Sequence, residues 1–198
     1  MSSYVRQGKI SSIGEKDVEK FVNELLLKDR DIIEHSRRVR DICAEIVNNL
    51  DLVDYNVNED LLYKAAWLHD IGKGKKLKKK YGKKNHHINA ANEISYFFDC
   101  EEANKKIECR KLQSIIIAHR KNFEPDEDVL MEAAILRMAD KIDKYNKPNV
   151  TSKQVKKVCK NSLNEIKNYF ERTNCTEFEQ FRKVCKKIRK EVKKELGD

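Results

Sequence analysis

Apolar residues recur along this chain at three- and four-residue intervals, the period that lines them up on one face of an α-helix. Val18, Phe21, Val22, Leu25 and Leu26 form the first stripe, behind an S-x-x-E capping box at Ser12 to Glu15. A second helix is predicted from about Asp31, carrying Ile32, Ile33, Val39, Ile42, Cys43, Ile46 and Val47. Asn58 can cap a third, with Leu61, Leu62, Ala65, Ala66 and Leu68 on its apolar side and Gly72 and Gly74 to stop it. A lysine-rich loop follows. Asn85 then caps a helix through Phe98, and another periodic run reaches from about Ile107 to His119. Pro125 opens a helix carrying Val129, Leu130, Ala133, Ala134, Leu136 and Met138, which fades near Tyr145 and ends by Pro148. Thr151 opens a helix to about Phe170, and a T-x-x-E box at Thr176 to Glu179 opens the last. No alternation is long enough to demand a sheet. The pattern predicts an all-α bundle of about seven to nine helices.

Few breakers interrupt that pattern: 6 Gly and 2 Pro in 198 residues favour long helices with short polar turns. The break at Lys147 to Val150 divides the chain into a core, residues 1–147, and a basic helical extension, residues 148–198, expected to pack on or beside it. Charged residues make up 38% of the chain, against roughly 25% in an average domain, so a heavily solvated surface is expected. No stretch approaches the roughly 18 apolar residues of a membrane span, and Met1 to Ile10 lacks a signal-peptide core. A cytoplasmic protein with no membrane partner is therefore expected. None of the six cysteines forms a C-x-x-C pair, so buried reduced thiols are expected rather than a thiolate metal site.

The net charge of +9 is unevenly distributed. Ile71 to Lys84 holds eight lysines and no acid, and Thr151 to Asp198 holds 14 Lys+Arg against 7 Asp+Glu. Such clusters concentrate anions near them. In the tail, acids such as Glu165, Glu171 and Glu179 are interleaved with the bases, so ordinary helix solvation is the simpler reading there.

Polar residues on the apolar faces change the picture. His35 lies three after Ile32 and four before Val39. His69 and His119 each follow apolar residues at spacings of seven, four and three, and Asp140 follows Ala133 and Leu136 at seven and four. Three imidazoles and a carboxylate thus project inward from four different helices. A buried Asp is costly unless paired or bound to metal, and imidazole with carboxylate is the ordinary ligand set of zinc, manganese and iron. Asp70, beside His69, has two oxygens and could bridge two ions.

Leu68-His69-Asp70-Ile71-Gly72-Lys73, preceded by His35 and followed by Ala139-Asp140-Lys141-Ile142-Asp143, resembles the H…HD…D signature of the HD phosphohydrolase superfamily. The resemblance covers roughly Asp31 to Asn146. It implies a helical HD-domain bundle binding a divalent transition metal (Mn, Fe, Co, Ni or Zn) through His35, His69, Asp70 and Asp140. Some members hold a second ion with two further histidines, here His119 and either His86 or His87. The family's H-x-x-x-[GAS]-A run selects His86, whereas helical periodicity selects His87, which shares a face with Ala91, Ile94 and Phe98. Local likeness extends to the C-terminal helical domain of the exopolyphosphatase and guanosine-pentaphosphate phosphatase family, and to small stand-alone HD dinucleoside tetraphosphatases. The actin-like domains of the former and the H-T-x-G stretch of the latter are missing.

The implied activity is hydrolysis of a phosphate ester or anhydride in a nucleotide-like or polyphosphate substrate by metal-activated water. Asp70, Lys73 and Arg120 are the candidate catalytic residues, with Lys73, Arg120, Lys141 and Lys144 placed to contact substrate. Lys141 and Asp143 are expected to support Asp140. The lysine-rich loop would edge the site, and Tyr81 within it could stack on a base. Two other classes compete: a non-catalytic metal- or nucleotide-binding regulatory module, which an intact ligand set disfavours, and a nucleic-acid-binding protein using the basic loop and tail.

Overall fold

The computed structural model describes residues 13–50, 57–98, 103–120 and 122–195. Among them are nine α-helices and no strand: α1 (Glu15–Leu25), α2 (Arg30–Asn49), α3 (Glu59–Leu68), α4 (Lys75–Tyr81), α5 (His86–Phe97), α6 (Ala103–Ala118), α7 (Leu130–Ile142), α8 (Ser152–Arg172) and α9 (Phe178–Glu195). Short 3-10 turns at Ile71–Lys73, Glu127–Val129 and Asp143–Asn146 join some of them. No helix among these residues is long and apolar enough to cross a membrane.

Helix α3 is the hub, packing on α1, α2, α6 and α7. Leu62, Ala65, Ala66 and Leu68 on α3, and Ala133, Ala134, Leu136 and Ala139 on α7, are fully buried. Their alanines keep the side chains between the two helices short, so the backbones approach closely and the ends carrying His69 and Asp140 converge. Lys64 is also buried on α3, where its ammonium reaches Asp60 at 2.6 Å and Glu108 at 2.7 Å. Helix α1 is tied to α2 and α3 by Glu15, which accepts from Arg40 Nε at 2.7 Å and Trp67 Nε1 at 3.2 Å.

The apolar faces of α8 and α9 join the same core through Val155, Cys159, Ile166, Phe170, Phe181 and Cys185. Phe170 stacks with Phe181 at 6.2 Å between ring centroids. Arg137 on α7 donates to the Ala118 carbonyl at 3.1 Å and pairs with Glu165 of α8, so the tail also grips the end of α6.

Local signals fared unevenly. Asn58 caps α3, accepting from the Leu61 amide at 3.0 Å, and Thr151 caps α8. Ser12 lies outside the described residues; Gly14 stands at the N-terminus of α1, where its amide donates to Asp17 at 3.1 Å. Most of the expected lysine-rich loop is helix α4. Lysine and leucine are good helix formers, Gly74 and Gly82 bound the segment, and Leu77 buries beneath it. Gly82 takes φ +92°, the positive range that glycine adopts without strain. Pro125 does not open α7. The Asp126 amide instead donates to Ser114 Oγ at 2.7 Å, holding the chain against α6 until Leu130. Cys43, Cys159, Cys175 and Cys185 are free, as expected, but Cys109 is disulfide-bonded.

Candidate metal centre

Three helix ends and one helix interior meet at a single point. His69 and Asp70 come just after α3, which ends at Leu68, so the adjacent pair lies in a turn rather than on a helix. That frees Asp70 from the 100° step that would separate neighbours on a helix. His35 comes from the first turns of α2, Asp140 from the last turn of α7, and His119 from the residue after α6.

His35 Nε2 lies 3.2 Å from His69 Nε2, 3.2 Å from Asp70 Oδ2 and 3.4 Å from Asp140 Oδ1. The other Asp70 oxygen, Oδ1, faces His86 Nε2 at 3.3 Å and His119 Nε2 at 3.8 Å. The ligand atoms of His35, His69, Asp70 and Asp140 lie within 4.8 Å of one another, as do those of Asp70, His86 and His119. Each group could hold a metal ion, and they share Asp70.

Three of the imidazoles are oriented from behind. His69 Nδ1 donates to the Ala66 carbonyl at 2.7 Å, and His119 Nδ1 donates to the Ile116 carbonyl, in both cases three residues back. That hydrogen bond selects the tautomer with an Nε2 lone pair pointing into the cluster. His35 Nδ1 meets Asp143 Oδ2 at 2.6 Å, and Asp143 in turn accepts from Arg38 Nε at 2.7 Å and Asn146 Nδ2 at 3.0 Å. Asp143 therefore supports His35, not Asp140 as the sequence suggested. The missed signal was Arg38, one helical turn after His35 and of opposite charge to Asp143. Lys141 contacts Asp140, and its Nζ lies 3.3 Å from the His119 carbonyl.

Electrostatics match a cation site. Burial opposes charge on Asp70, but His69, His35, His86 and Lys73 outweigh it and hold the carboxyl well below its ordinary range. Asp140 is likewise ionised against its burial, chiefly through Lys141 and His35. Burial lowers the pKa of His69, and of His119 further, so both are neutral and able to bind metal near pH 7. His35 behaves oppositely: burial lowers its pKa, yet Asp140, Asp143 and Asp70 together raise it to about 10. Asp70 Oδ1 and His86 Nε2 are buried and make no aligned hydrogen bond. Buried polar atoms without partners are rare, and their convergence on a His/Asp donor set fits a divalent transition ion.

The structure brings His86, and not His87, within reach of Asp70. Two local features place it there. Asn85 adopts φ 56°, turning the chain sharply into α5, and Gly72 lets the start of α5 lie directly on the 3-10 turn. A Cβ at Gly72 would sit 1.9 Å from the His86 carbonyl oxygen. His87 stands beside the cluster, its ring 6.4 Å from that of His119. Lys73 contacts Asp70 Oδ2. Arg120 is exposed, just beyond His119. Tyr81 is not free to stack on a base: its hydroxyl donates to Glu93 at 2.9 Å, and Lys80 covers its ring at 4.7 Å.

Comparison with known families places this architecture. Residues 32–145, more than half of the chain, match the HD domain family. The chain belongs to that family, whose members are generally metal-dependent phosphohydrolases, and its fold is an all-α HD-domain bundle. No curated protein and no solved structure was found to match it.

Proposed function

We propose that this protein is a metal-dependent phosphohydrolase that cleaves a phosphate ester or anhydride of a nucleotide-like or polyphosphate compound. His35, His69, Asp70 and Asp140 would hold one divalent ion, and Asp70, His86 and His119 would hold a second. The observation that carries the reading is Asp70 itself, with one carboxylate oxygen turned to each histidine group. A divalent ion in such a site activates water and polarises phosphoryl oxygens for in-line displacement at neutral pH.

The chain's own residues supply the remainder. Asp143 and the Ala66 and Ile116 carbonyls fix the imidazoles of His35, His69 and His119, so these three need not reorganise during the reaction. Lys73, against Asp70, and Lys141, against Asp140, set positive charge at the two carboxylates where a phosphoryl group would arrive. Arg120 offers a planar fork to phosphate oxygens, and Lys144 extends the cationic side of the site.

The test is a hydrolysis screen with manganese, iron, cobalt or nickel. Its panel spans nucleotides, dinucleoside polyphosphates, alarmones, cyclic nucleotides and polyphosphate. Metal-dependent release of phosphate by the wild type, abolished in Asp70→Asn, is expected. Metal uptake with no turnover on any of these classes would contradict hydrolysis and leave a binding module.

A further inference from the structure

One carboxylate behind the centre is surrounded by donors. Asp143 opens the 3-10 turn that follows α7 and is completely buried. Helix α2 packs on that turn, and His35 and Arg38, three residues apart, lie on the side of α2 that faces it. Asp143 Oδ2 lies 2.6 Å from His35 Nδ1. Asp143 Oδ1 accepts from Arg38 Nε at 2.7 Å and from Asn146 Nδ2 at 3.0 Å. The Arg38 side chain is 40% exposed, so its guanidinium reaches this buried carboxylate from the surface.

These donors differ in what they permit. A guanidinium has N–H groups and no acceptor, so whatever atom meets Arg38 Nε has to accept. An ionised carboxylate has two accepting oxygens and satisfies Arg38 and His35 together. His35 Nδ1 then keeps its proton, and the Nε2 lone pair is left for the side that faces His69, Asp70 and Asp140. An amide in place of that carboxylate has one acceptor and one donor. Arg38 and Asn146 draw its oxygen to their side, which turns its NH2 toward His35. Nδ1 must then accept, and the one proton of a neutral imidazole sits on Nε2, where it blocks a metal. The tautomer of a metal ligand is thus decided two hydrogen bonds away, at Arg38.

We propose that Arg38, assisted by Asn146, is a positioning residue for the first metal ion. By holding one oxygen of Asp143, it commits the other oxygen to His35 Nδ1 and His35 Nε2 to the ion. Arg38 acts through Asp143, whereas Lys73 and Lys141 contact carboxylate ligands directly. This rests on the metal centre proposed above and is independent of which substrate is cleaved.

The test is calorimetric titration of the full chain with manganese, with the fold checked by circular dichroism. Asp143→Asn should weaken one of the two ions about 10–100-fold, the usual cost of losing the partner behind a histidine ligand, and leave the other unchanged. Arg38→Met alone should weaken the same ion, by less. The double variant Arg38→Met/Asp143→Asn, in which the amide is free to turn its oxygen to His35, should bind that ion at least about threefold tighter than Asp143→Asn. The same substitution is then harmful beside the carboxylate and helpful beside the amide, whereas a role in folding alone would make the double variant the weakest. Arg37, which pairs with Glu34 on the exposed side of α2, supplies the control for net charge. Arg37→Met/Asp143→Asn should bind no tighter than Asp143→Asn. A double variant no tighter than Asp143→Asn, or an equal gain in the Arg37 control, overturns the role of Arg38. So does wild-type affinity in Asp143→Asn. If Asp143→Asn does not fold, Arg38→Met decides alone, and wild-type affinity there overturns the role. A wild type that takes up no manganese refutes the centre and the role with it. Because the readout is metal uptake, an absence of turnover bears on hydrolysis alone.

Discussion

Asp70 and Gly72 carry more of the site than their size suggests. Asp70 is the one residue common to both histidine groups, and Gly72, two residues on, is the floor on which His86 rests. Gly72→Ala places a methyl group against the backbone of α5, which has no flexible end to move aside. Overpacking of this kind costs about 1–3 kcal/mol. The expected outcome is a folded protein, with helical circular dichroism intact, that loses about one metal equivalent because His86 has been pushed from Asp70. His35 gives a pH signature. Its folded pKa of about 10 exceeds the ordinary 6.5, so in the metal-free protein its stabilising charge is complete below about pH 6.5 and lost as pH rises through 10. A metal ion must displace that proton. The rise in melting temperature on adding manganese should therefore grow between about pH 6.5 and 9, and a flat increment would count against His35 as a ligand.

At the scale of elements, hydrophobic periodicity located most of the helices because each buries an apolar stripe in the common core. His35, His69, His119 and Asp140 were legible for the same reason: polar residues on such stripes stand out. What escaped was set by tertiary contact. The turn after α3 that frees Asp70, the left-handed Asn85 and the close approach at Gly72 decide between His86 and His87, and no periodicity of α5 encodes them. Asp143 was assigned to its neighbour Asp140 because sequence proximity hides a partner 108 residues away. Lysine content suggested a loop where Leu77 and two flanking glycines make a helix. The tail's stripe was legible, and its contribution can be measured. Phe170 is fully buried against Phe178 and Phe181, so Phe170→Ala should cost about 3–5 kcal/mol in denaturant unfolding. A loss under 1 kcal/mol would mean that α8 and α9 add little to the core.

Across the whole molecule, one helical core holds a compact set of acids and imidazoles, and the excess positive charge is concentrated in residues 71–84 and 151–198. The same contrast appears at short range, where Lys73 and Lys141 contact the carboxylates that face the histidines. Everything functional in this account depends on the metals being there in the stated number. The most direct measurement is metal content by elemental analysis after reconstitution with manganese and removal of the excess, with folding checked by circular dichroism. The account predicts about two equivalents in the wild type, about one in His119→Ala and close to none in Asp70→Asn. Equal metal content in the wild type and Asp70→Asn would contradict it.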